Sequence, residues 1–128
     1  MNRHIRFKYL YRDASNYKQW GSVIFSNPEH IPIDEIDRLL KSNFEEKCFF
    51  IAHQAGLPEL FIYDDEPISS EDHCYHEYDS VDVIEQVGFA APTRSISEFM
   101  VTVISCKKIG WTAFDPLENL SRIQRDLP

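Results

Sequence analysis

From His4 to Tyr11 the chain alternates. Ile5, Phe7, Tyr9 and Tyr11 fall on one parity; His4, Arg6, Lys8, Leu10 and Arg12 fall on the other. A period of two with aromatic content predicts a half-buried strand, because successive side chains of an extended chain point to opposite faces. Asp13, Ala14, Ser15 and Asn16 then supply turn chemistry. Tyr17 to Ser26 resumes strand-like content with Trp20, Val23, Ile24 and Phe25, so the two runs predict an antiparallel hairpin. Gly21 inside the second run implies a bulge or a close backbone approach.

After Asn27-Pro28 the period changes. Ile33, Ile36, Leu39, Leu40 and Phe44 recur at helical spacing, Pro32 suits a first turn, and Asp34 and Glu35 suit the positive end of a helix dipole. These predict a helix over about 33–44. Cys48 to Ala52 is a short apolar run that predicts a central strand, and Gln54 to Pro58 a loop. Leu60 to Tyr63 predicts a further short strand, and His73 to Ile84, with Val81 and Val83 alternating, another. Ser95-Ile96-Ser97-Glu98 has capping-box spacing ahead of a stripe of Ile96, Phe99, Met100, Val103 and Ile104. Lys107 and Lys108 suit the far end of that helix, and Gly110 its stop. Asp115-Pro116 with Leu117, Leu120, Ile123 and Leu127 predicts a short third helix that packs on the parent sheet or reaches a partner.

The predicted order is β β α β β β α α. It describes an α+β fold: a mostly antiparallel sheet, two main helices packed on one face, and a short C-terminal helix. Residues 1–128 are expected to form one domain. The pattern further predicts that Ile5, Phe7, Tyr9 and Tyr11 meet the helices while His4, Arg6, Lys8 and Arg12 line an open face.

Composition narrows the function classes. The chain has 128 residues, 43% hydrophobic and 27% charged, which places it among globular chains able to build a core. No window approaches the ~20 apolar residues of a membrane span, and Lys8, Arg12 and Asp13 interrupt any signal-like apolar stretch. Cys48, Cys74 and Cys106 are few, odd in number and far apart, so free thiols in a reducing, cytoplasmic setting are expected.

The net charge of −8 disfavours a general nucleic-acid binder, which needs cations to displace phosphate counterions. The charge is uneven. Arg3, Arg6, Lys8, Arg12 and Lys18 stand against Asp13 up to Trp20, whereas Lys47 to Arg94 encloses no Lys or Arg but ten acids, including Glu59, Asp72, Glu77 and Asp82. Either the acids are solvated and pair with the chain's own cations, or the surface is two-signed and built for a charged partner.

Reactive side chains concentrate in Glu71-Asp72-His73-Cys74-Tyr75-His76-Glu77-Tyr78. Asp72, His73, Cys74, His76 and Glu77 are ligand types that zinc accepts, with Asp72, His73 and His76 the weak metal candidates. His73, His76 and Glu77 are weak candidates for acid–base catalysis. A strand divides them, placing His73, Tyr75 and Glu77 on one face and Cys74, His76 and Tyr78 on the other. Cys48, His53 and Cys106 stand alone in sequence. Four glycines cannot form a phosphate-cradling loop, and no Gly-x-Ser-x-Gly elbow is present.

The basic parity of the first strand is the other candidate site. His4, Arg6, Lys8 and Arg12, with Lys18 across the hairpin, can hold an anionic small molecule or an acidic protein surface, a second copy included. The expected function is therefore a small acidic, non-catalytic binding protein without a cofactor. Its class is that of inhibitor, immunity and sequestering proteins, by analogy of size and charge. The alternatives are a small hydrolase or nuclease-like enzyme using Asp72, His73, His76 and Glu77, with or without a metal, and a subunit of a larger assembly.

Overall fold

The computed structural model describes residues 4–12, 18–60, 73–85, 92 and 94–114. Its elements are β1 (His4–Arg12), β2 (Lys18–Ser26), α1 (Ile33–Asn43), β3 (Phe49–Ile51), a 3-10 turn (His53–Ala55), β4 (Tyr75–Ile84) and α2 (Ile96–Ile109). The four strands form one antiparallel sheet in the order β2-β1-β4-β3, so the first strand of the chain lies in the middle.

The alternation of β1 sets the layers. Ile5, Phe7, Tyr9 and Tyr11 are all buried, and they share one core with Phe25, Phe50 and Tyr78 of the sheet, Ile36 and Leu40 of α1, and Ile96, Phe99 and Val103 of α2. Phe7 is the hub. Its ring meets Phe44, Phe50 and Phe99 edge-on and stacks on Tyr78 at 5.5 Å. Such ring pairs add specific geometry to a large apolar burial.

The capping box opens α2 as its sequence predicts. The Glu98 backbone N–H donates to Ser95 Oγ at 3.1 Å, and the Ser95 N–H donates to the Glu98 carboxylate at 3.0 Å. Gly110 (φ +109) ends the helix, its N–H reaching the Cys106 carbonyl. Arg94, just ahead of α2, ties the layers together. It donates to the Ala55 carbonyl and to Thr102 Oγ1, and its guanidinium stands over the Phe25 and Phe99 rings at 5.9 and 5.3 Å.

Several expectations change. The β1–β2 register runs unbroken from His4↔Ser26 to Arg12↔Lys18, so Gly21 marks no bulge. It marks the close approach: a Cβ there would sit 2.6 Å from the Leu60 side chain. The irregularity lies in β4, where Lys8 faces Ser80 but Tyr9 faces Tyr78, leaving Asp79 as an extra residue. Leu60 lies outside the strands, and residues 61–63 of that predicted strand fall outside the described residues, as does the predicted C-terminal helix. Leu10, on the outward parity, is only 4% exposed between Trp20 and Glu77, so that position of the outward face is buried.

Candidate functional site

β1 presents the basic strip on the face away from the core, and the register decides which cations are neutralised. Arg6 faces Asp82 of β4, and the pair is bidentate, with Nε–Oδ1 at 3.1 Å and Nη2–Oδ2 at 2.6 Å. The carboxylate beside it raises the Arg6 pKa further. Arg12 donates to Glu77 at 3.0 and 3.4 Å. Lys8 faces Ser22 on one side and Ser80 on the other, so no carboxylate stands directly opposite it. Among the described residues Lys8 has no ion-pair partner within 4 Å, and neither has Lys18. His4 lies between Ser26 and Ile84, its Nδ1 buried without a hydrogen-bond partner among the described residues.

Beside Lys8 the sheet carries an aromatic. Trp20 is 54% exposed, the most exposed aromatic side chain among the described residues. Arg6, Lys8, Trp20, Gly21 and Ser22 line an open depression of about 360 Å³. Sequence reasoning named the cations of this site. It did not name Trp20, whose placement next to Lys8 follows from the Lys8↔Ser22 and Leu10↔Trp20 register.

The 71–78 cluster is divided by β4. Glu77 stands on the outward face with Arg12, while His76 and Cys74 are buried at 0% and 3% exposure. His73 precedes the strand and is held by backbone. Its Nε2 lies 2.6 Å from the Arg12 carbonyl, its Nδ1 accepts from the Tyr75 N–H, and its own N–H donates to Tyr11 Oη. Asp72 lies outside the described residues. His73 and His76 both pack against the Tyr11 ring, with centroids at 5.1 and 5.3 Å, while Glu77 lies on the other face with Arg12, and no three His, Cys, Asp or Glu side chains gather as cation ligands among the described residues.

His76 instead meets two residues the sequence did not connect to it. Glu59, counted among the solvated acids, is fully buried. Its Oε1 accepts from the His53 backbone N–H at 3.0 Å and lies 2.5 Å from His53 Nδ1. Its Oε2 lies 3.5 Å from Nδ1 of His76, whose Nε2 accepts from the Leu60 N–H at 2.9 Å. That last bond places the neutral-ring proton on Nδ1, toward the carboxylate. Burial outweighs the neighbouring carboxylate and lowers the His76 pKa to about 4. Neither His76 nor Glu59 presents an atom to solvent, and His53 is 21% exposed. The triplet fastens the 53–60 segment to the sheet, which is a structural role.

The thiols are poorly placed for attack. Burial raises the pKa of Cys48, Cys74 and Cys106, and the Cys106 thiol donates to the Gln54 carbonyl at 3.4 Å. Among the described residues no helix is long and apolar enough to cross a membrane. No protein-family model, curated protein or solved structure matches this chain.

Proposed function

We propose that this protein is a non-catalytic binding protein that holds an acidic partner protein on the outward face of its sheet, centred on Lys8 and Trp20. The observation carrying the reading is the exposed indole beside a lysine with no carboxylate directly opposite it. A large exposed aromatic next to a cation is a recurrent anchor of protein interfaces, and a lysine facing two serines is available to an incoming carboxylate. Arg6 and Arg12 act differently. They already hold Asp82 and Glu77, so they shape the rim. The depression is shallow and open, which suits a protein surface better than an enclosed small molecule.

The enzyme alternative draws less support. Glu77 is held by Arg12 on the outward face, and the buried His76 meets backbone and Glu59.

The test is capture of partners from the source cells with wild-type bait and with Lys8→Glu/Trp20→Ala bait, followed by titration of the purified partner. The expected result is a partner retained by wild type, lost by the variant, and able to shift the Trp20 indole signal in NMR. A partner held equally by both baits, or one that leaves that signal in place, refutes the reading.

A further inference from the structure

β2 is one edge of the sheet, and its hydrogen-bonding groups can be assigned by parity. The Ser26 N–H donates to the Arg94 carbonyl, away from β1. Backbone groups of a strand point alternately to its two sides, so those of Ile24, Ser22, Trp20 and Lys18 also point away from β1. At Ser26 the edge is closed by the bridge to Ser95. From Lys18 to Ile24 no backbone partner occupies it among the described residues.

Sheet edges of this length are usually guarded by proline, a bulge, or a charge in mid-strand. β2 has none of these across nine residues, its one charge being Lys18 at the start. The opposite edge, β3, is only three residues long.

We propose that β2 pairs antiparallel with β2 of a second copy, about a two-fold axis through Ser22, to make a continuous eight-stranded sheet. The sequence of the strand is self-complementary in that register. Ser22 faces Ser22, and Trp20 faces Ile24 of the second copy on each side of the axis. Each apolar side chain thereby gains an apolar cross-strand neighbour on the outward face, the arrangement that stabilises antiparallel pairs. Three directly opposed pairs, at positions 20, 22 and 24, exchange two backbone hydrogen bonds each.

Charge supports the same register. Glu29 and Glu98 are exposed beside the closed end of β2, where Glu29 accepts from Ser97 Oγ and Glu98 caps Ser95. Lys18 is exposed at the opposite end. The two-fold axis brings each Lys18 toward the acidic end of the other strand. A second copy is favoured over an unrelated extended peptide because apolar and charged positions both match under that single rotation.

The pairing uses the backbone edge of β2 and shares Trp20 and Ser22 with the depression of the acidic-partner reading, so it is tested on the purified chain alone. Sedimentation velocity over a concentration series is expected to move wild type from one chain to two. Ser22→Lys places two lysines opposite each other on the axis, and this variant is expected to remain one chain at concentrations where wild type is paired, with unchanged far-UV circular dichroism. Lys18→Glu, at the exposed start of the strand, is expected to raise the dissociation constant by roughly two- to fivefold, the size of an exposed ion pair. It also serves should Ser22→Lys fail to fold: a weakened dimer supports the pairing, and an unchanged one overturns it. A wild type that stays one chain at every concentration, or a dimer that Ser22→Lys leaves intact, overturns the proposal.

Discussion

The two faces of β1 differ by one residue of register and by nearly everything else. On the inward parity, Ile5, Phe7, Tyr9 and Tyr11 are at most 2% exposed. On the outward parity, Arg6 and Lys8 are partly solvated, and the best-formed ion pair, Arg6–Asp82, leaves both side chains about two-fifths exposed. Burial on one face therefore decides stability. Pairing on the other decides which charge remains available. Among the described residues the inward side buries the His76–Glu59 pair, and the outward face exposes Trp20. Each exception has a stated partner or a stated use.

The contrast is broken most strongly from the inside. Phe7→Ala removes the ring at the centre of five aromatic contacts and is expected to destabilise by about 3–5 kcal/mol in urea unfolding. Lys8→Ala, its neighbour on the other face, should leave the unfolding midpoint in place.

Acid is the next lever. His76 has a folded pKa of about 4 against 6.5 for the ordinary group, so below about pH 6.5 the unfolded chain takes up a proton that the native chain refuses. Stability contributed by the neutral ring is thus present above pH 6.5 and is lost as pH falls toward 4, by on the order of 3 kcal/mol. Unfolding of wild type and His76→Gln at both ends of that window checks it. Equal losses in the two proteins would remove His76 as the cause.

The smaller effects lie at the surface. Ser95→Ala deletes the side-chain acceptor that caps α2 and should lower stability by about 1 kcal/mol, read from the urea midpoint. Arg6→Ala should leave the midpoint unchanged within error, since an exposed ion pair is offset by side-chain ordering and screened by salt.

Elements with a local signal were legible in the sequence, and convergence was not. The alternation of β1, the stripe of α1 and the capping box of α2 each depend on neighbours within a few residues, and each element appears within a residue or two of its predicted bounds. β4 was harder to read because the extra residue at Asp79 breaks its alternation, so that Tyr78 and Val81, three apart, both turn toward the core. The basic strip was legible as a set of cations. Its division into neutralised Arg6 and Arg12 and unneutralised Lys8 needed the β1–β4 register. The burial of Glu59 had no local signal at all. It follows from His53, Glu59 and His76 meeting through the sheet, and an acid beside Pro58 in a loop reads as solvated until that meeting is known.

The central place of β1 also has a consequence for how the chain is made. β1 can pair with β2 as soon as the hairpin is synthesised, but its other neighbour begins at Tyr75, and its first residue, His4, must wait for Ile84. During that interval Phe7 and Tyr9 have a strand on one side only, and the helix that supplies Phe99 is still to come. Closing so long a loop is an entropic barrier that no local contact relieves. A nascent chain of this protein therefore carries an incompletely covered aromatic sheet face until β4 and α2 are made, and its dependence on chaperones should peak in that interval and fall once α2 has left the ribosome.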